Sequence, residues 1–189
     1  RGYVGSFQEL DEERLPGPGN MPAFSHIHLV EPDRDQPGQG RCRTVADRMT
    51  FPNGPVITPD GKTYLVAETF ANRITAFDIE ADGSLSNRRV WADLGAPTDG
   101  MTLDEEGCLW VAIPYYAYGG PGGFVRVREG GELVDRIDAD GVGSFACTLG
   151  GPELKSLFLL QSTILGVERS PGDGRIMVAE VDVPGLGTP

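Results

Sequence analysis

Apolar residues along this chain recur in short runs, almost nowhere with the spacing of an amphipathic helix. The runs are rich in Val, Ile and aromatic residues and are bounded by Gly, Pro, Asp or Asn. They cover residues 3–7, 26–31, 41–46, 55–58, 63–68, 73–79, 88–92, 101–104, 108–113, 124–127, 132–137, 145–149, 156–161 and 175–183. A run every ten to fifteen residues predicts an all-β protein, whether sandwich, barrel or propeller. The 27 Gly and 15 Pro, scattered between the runs, suit many turns.

Internal repetition decides between these architectures. NGPVITPDGKTYLVAE begins at Asn53 and DGMTLDEEGCLWVAI at Asp99. In each, a polar residue precedes a Gly and an apolar strand follows. A Gly turn comes eight residues after the polar one (Gly61, Gly107), and then a second strand begins. A looser third copy runs from 145 to 161, with Gly150–Gly151 as its turn. The second strand starts at Tyr64, Leu109 and Leu157, a period of 45 to 48 residues. Four strands per repeat at that period indicate β-propeller blades. The blades are expected near 1–50, 51–97, 98–142 and 143–189, with about three and a half of them present. Residues 2–7, GYVGSF, resemble the second strand of an earlier blade, and the last blade stops before its fourth strand. Because a propeller must cover its edge strands, two arrangements remain. Either a four-bladed ring closes on itself, or about half the ring lies outside this chain.

In an antiparallel blade, the start of the innermost strand and the end of the second strand share one face. Asn53 and Asp99 each precede an innermost strand, so both should point into one mouth of the central channel. The loops 8–25, 69–72, 114–122 and 162–174 should overhang that mouth, where specificity tends to sit. An amide oxygen and a carboxylate are hard donors suited to Ca²⁺, Mg²⁺ or Mn²⁺. A metal held there would polarise a carbonyl or activate water, and Asp99 would accept a proton. Asn-Gly and Asp-Gly pairs also make ordinary turns. Their matched placement in two successive repeats is what favours ligation.

Charge narrows the field further. With 16 basic against 28 acidic residues the net charge is −12, which opposes binding to nucleic acid or anionic membranes. No apolar run has the length of a membrane span and no leader pattern opens the sequence. Cys42, Cys108 and Cys147 are odd in number and widely spaced, so reduced, mostly buried thiols in a cytoplasmic protein are expected.

The strings FPNGPVITPDGKTYLVAET, DGMTLDEEGCLWVA and LGGPELKSLFLL, with the closing VDVPGLGTP, resemble the regucalcin/gluconolactonase (senescence-marker-protein-like) family. The resemblance runs from about residue 3 to the end. It implies a six-bladed propeller with one divalent cation in the channel, acting on lactones of sugar acids or related esters. It places metal ligation on Asn53 and Asp99, with Asp99 also the general base. Ca²⁺ is the first choice of ion, with Mg²⁺, Mn²⁺ or Zn²⁺ as alternatives. Thr98 stands where the family has Pro before this Asp. The family's third ligand, an N-terminal Glu, falls in a blade outside this chain, which another segment or chain would have to supply.

Other residues carry weaker signals. Glu68, with Thr69 and Asn72, closes a second strand on the same face, either orienting metal-bound water or standing as a solvated turn residue. Tyr115, Tyr116 and Tyr118 would form a substrate lid or a packed surface loop. His26 and His28 share one face of a strand, and residues 9–14 read as a solvated loop. Trp110 and Phe158 occupy repeated strand positions and are expected in the core. Ser144 and Cys147 lie on the third innermost strand without a histidine nearby in sequence to activate them. The expected function is divalent-metal-dependent hydrolysis of a small-molecule lactone or ester. Phosphoester hydrolysis in the same site, or a non-catalytic cation-binding or protein-interaction propeller, stands as the alternative.

Overall fold

The structure, a computed structural model, describes residues 1–6, 24–33, 35–36, 38–114, 122–139, 142–163 and 173–187. Nearly every apolar run becomes a strand, and the strands form four antiparallel sheets. The first contains β1 (Gly2–Gly5), β2 (Ser25–Pro32) and β3 (Gly40–Met49). The second contains β4 (Pro52–Ile57), β5 (Thr63–Glu68), β6 (Arg73–Ile79) and β7 (Leu85–Asp93). The third contains β8 (Met101–Leu103), β9 (Leu109–Ile113), β10 (Gly123–Val127) and β11 (Leu133–Asp138). The fourth contains β12 (Gly143–Gly150), β13 (Ser156–Ser162) and β14 (Arg175–Glu180). Within each sheet every strand pairs with its sequence neighbour, as in a propeller blade. The edge strand of one sheet feeds the first strand of the next. β4 touches β8, and β8 touches β12, so the strands opening the last three sheets lie side by side.

The apolar positions explain why the sheets stack. Three clusters fill three interfaces. Ile27, Met49, Tyr64, Val66 and Phe77 join the first sheet to the second. Leu65, Ala67, Ile74, Trp91, Leu109, Val111 and Val127 join the second to the third. Trp110, Phe124, Cys147, Leu157 and Leu159 join the third to the fourth. β5 and β9 are buried on both faces because each sits between two clusters, which accounts for their near-continuous hydrophobic sequence. Each fully buried large side chain contributes roughly 1.5–3 kcal/mol.

Two expectations change. The last strand ends at Glu180, not at 183. Beyond it the Val181 amide still donates to the Lys155 carbonyl, and Gly185 then bridges to Asp104, just after β8. Phe158 is half-buried instead of a core residue. It faces away from the cluster that takes Leu157 and Leu159, and its ring lies against Gly150. Of the cysteines, Cys108 and Cys147 are buried but Cys42 is exposed, and all three are free.

Polar pairs lock the sheets at their ends. Glu68 is fully buried, and its carboxylate accepts from Thr75 Oγ1 at 2.6 Å and from the Thr50 amide at 2.8 Å. Arg73 reaches it at 2.9 Å and Arg88 at 3.0 Å. Arg88 also donates to the Asp47 and Arg48 carbonyls of β3, so the cluster ties the first sheet to the second. Burial pushes the Glu68 carboxyl upward, but the hydrogen bonds and the two guanidinium groups outweigh it and hold the carboxyl below its usual range. The stabilisation is therefore present above the unfolded-state value of 4.5 and is lost as pH falls. Glu68→Ala is expected to cost roughly 3 kcal/mol of unfolding free energy in urea titration at neutral pH. A change inside the ordinary surface range of about 0.5 kcal/mol would contradict the clamp.

Candidate functional site

The innermost strands approach each other closely because two of them carry glycine at the contact. A Cβ on Gly54 would lie 2.6 Å from both the Asp99 carbonyl oxygen and Gly100 Cα. Gly54 also has φ +46°, which disfavours any side chain there. A Cβ on Gly100 would lie 2.7 Å from Ala146 Cα. Backbone bonds complete the junction, with the Gly100 amide donating to the Phe145 carbonyl at 2.9 Å and Asp99 donating to Ala112 at 2.9 Å. The register of β4 against β5 also slips between Asn53 and Val56, a bulge at the same point. This packing puts Asn53 and Asp99 on adjacent strands of adjacent sheets.

The side-chain chemistry follows. Asn53 Nδ2 donates to Thr69 Oγ1 at 3.1 Å, and Thr69 is buried in the 3-10 turn Thr69–Ala71 after β5. That bond commits the nitrogen and leaves Oδ1 as the acceptor end. Asp99 is half-buried, and among the described residues no Lys, Arg or His pairs with its carboxylate. Burial pushes its pKa from 3.8 up to about 7, against the opposing hydrogen bond from the Gly100 amide. A half-buried carboxylate with no cationic partner among the described residues, next to the segment that holds an oriented amide, is a donor pair that fits a hard divalent ion. No three His, Cys, Asp or Glu side chains cluster among the described residues, so further donors would be water or groups outside them.

The remaining expected residues separate from this pair. The Glu68 carboxylate is engaged by four protein donors and is not a solvated turn residue. Tyr115, Tyr116, Tyr118 and the run 9–14 lie outside the described residues. His26 is exposed, and His28 contacts Ser6 Oγ and Thr44 Oγ1 at 3.3 and 3.2 Å on the face of the first sheet. Cys147 is buried with its thiol pKa pushed up by desolvation, which removes its nucleophilic form. A cleft of about 350 Å³ lies between the second and third sheets, walled by Trp91, Leu103, Glu105 and Leu186. It sits at the opposite end of the strands, by the turns at Pro59 and Gly107, and holds neither Asn53 nor Asp99.

Thr69 as the residue that orients Asn53 needed the structure, because nothing in its spacing sets it apart from a turn residue. The role of Gly54 and Gly100 was visible only as a repeat. Their spacing of 46 residues continues to Ala146, and this makes Phe145 the third channel position.

The sequence profile of the SMP-30/gluconolactonase/LRE-like region matches residues 27–163. The chain belongs to that family. Regucalcin of Xenopus laevis is 30% identical over 119 residues, covering 60% of this chain and 38% of the frog protein. The solved luciferin-regenerating enzyme superposes on 98% of this chain and 58% of its own, at TM-score 0.72 and 20% identity. The gluconolactonase XC5397 of Xanthomonas campestris covers 72% of this chain and 42% of its own, at TM-score 0.57 and 28% identity. The chain spans between about a quarter and about half of the length of the curated relatives it matches. The SMP-30/gluconolactonase fold thus accounts for the four antiparallel sheets as propeller blades.

The raised pKa of Asp99 makes a testable link to stability. In the cation-free protein the folded state holds a proton on Asp99 between pH 3.8 and about 7 that the unfolded state releases. This group therefore destabilises the fold as pH rises through that window. Asp99→Asn should raise the melting temperature at pH 7 and change it little at pH 4. Equal effects at the two pH values would contradict the assignment.

Proposed function

We propose that this chain carries the core of a divalent-metal-dependent hydrolase of lactones or related esters, with Asn53 and Asp99 as two of the protein ligands. The observation that carries the reading is the Asp99 carboxylate, desolvated and unpaired by any cationic side chain among the described residues, beside an Asn53 oriented by Thr69. Likeness to regucalcin and to a gluconolactonase supports it. Ca²⁺ suits the all-oxygen donors best, Mg²⁺ and Mn²⁺ also fit, and Zn²⁺, which favours nitrogen and sulfur, fits less well.

When bound, the cation supplies a Lewis acid for the ester carbonyl. The chain's own residues do the rest. Asn53 offers Oδ1 while Thr69 holds its amide in place. Asp99 takes the proton from the attacking water as the new C–O bond forms, and the ring C–O bond then opens to a hydroxy acid. That proton returns to the leaving alkoxide, so the balance is lactone plus water to hydroxy acid. Only ionised Asp99 can do either job, so cation affinity and turnover both fall as pH drops. A bound cation moves the titration below the cation-free value of about 7.

The test is lactone hydrolysis by the full chain in a pH-stat, with calcium affinity measured in parallel by calorimetry. Chelation should abolish turnover and added Ca²⁺ should restore it. Asp99→Ala should lower kcat/KM by at least about a hundredfold and remove saturable calcium binding. Turnover that survives chelation or Asp99→Ala would sink the proposal. Calcium binding with no turnover of any lactone or ester would instead favour the non-catalytic cation-binding propeller.

A further inference from the structure

The residues near Asn53 and Asp99 include three phenylalanines. Gly54, Gly100 and Ala146 are stacked equivalents, so the residues before them, Asn53, Asp99 and Phe145, occupy successive positions around the channel. The first two offer oxygen and the third a phenyl ring. Phe145 is the residue left out where the β12–β13 register shifts between Ser144 and Ala146. A bulged residue is aimed away from the paired faces of its strand, and Phe145 takes no part in the cluster formed by its neighbours Cys147, Leu157 and Leu159. Its ring instead lies over Gly143, where a Cβ would come 2.7 Å from ring carbon Cε2.

Two further rings stand on the Asn53 side. Phe51 is two residues before Asn53, and its carbonyl accepts from the Thr69 amide at 3.2 Å. Phe70 follows Thr69 in the 3-10 turn. The two rings pack 5.0 Å apart in a tilted pair, and both residues are half-buried. Thr69, whose hydroxyl accepts from Asn53, is thus flanked by Phe51 and Phe70, while the Phe145 backbone borders Gly100, next to Asp99. Hydroxyl groups placed against such rings lose water without gaining hydrogen bonds.

We propose that the substrate of this site carries an apolar substituent, an alkyl or aryl group on the lactone or ester, and that Phe145, Phe51 and Phe70 select it over a polyhydroxylated sugar-acid lactone. This inference rests on the hydrolase reading for the reacting group but concerns the substituent that group carries.

The experiment therefore measures binding, without turnover, to the calcium-loaded full chain. The probes are two lactams that cannot be hydrolysed in the same way, a γ-lactam bearing a pentyl chain and gluconolactam. The alkyl lactam should bind at least about tenfold more tightly, and Phe145→Thr should erase most of that difference while calcium affinity stays the same. Phe70→Ser, in a surface turn, should shift the ratio in the same direction and guards against misfolding of the first variant. Equal or tighter binding of gluconolactam, no binding of either lactam, or a ratio that neither substitution changes would overturn the inference. An alkyl preference that depends on Phe145, in a protein that hydrolyses no lactone, would retire the hydrolase reading and leave this pocket standing.

Discussion

Everything at the channel depends on one close backbone contact. Where Gly54 meets Asp99 and Gly100, the strands lie nearer than any side chain allows, and the same approach recurs from Gly100 to Ala146. A methyl group at either glycine would force the inner strands apart. The contact is narrow, but it converts two residues 46 positions apart in sequence into neighbours. The apolar clusters between sheets hold the strands against each other, and the buried Glu68 cluster ties the neighbouring sheet ends. Core packing and site geometry are thus one mechanical system.

That system places Asp99 at an energetic disadvantage. Its carboxylate is withdrawn from water, and no arginine or lysine among the described residues compensates for it, in contrast to Glu68 and Asp104. Glu68 has two guanidinium groups and Asp104 has the Nε of Arg126 at 2.7 Å. The two fully buried acids, Glu68 and Asp104, are thus both paired. Asp99, half-buried at the inner-strand contact, has no cationic partner among the described residues. Such an uncompensated group in a preformed site is a recognised mark of function.

Much of this was legible in the residues themselves. The strand pattern survived because Val, Ile and aromatic runs between Gly and Asp turns leave few alternatives, and the period of 45 to 48 residues repeats even where the match is loose. The pairing of Asn53 with Asp99 came from periodicity alone. What stayed hidden depends on contacts between distant segments. Glu68 reads like a strand-end residue until Arg88, twenty positions on, folds back onto it. Phe158 sits at a repeat position, yet its side of the fourth sheet is the more open one, with Leu160 exposed beside it. Phe145 belongs to the third copy of the repeat, but only the register shift in β12 shows that it is not a core residue.

The most direct test of the account is anomalous diffraction from crystals of the full chain grown with Mn²⁺. The account predicts one anomalous peak at about 2.0–2.6 Å from both Asn53 Oδ1 and an Asp99 carboxylate oxygen, as expected for a hard cation with oxygen ligands. A structure in which manganese binds elsewhere, or in which Asp99 stays unliganded at saturating Mn²⁺ above pH 7, would contradict it.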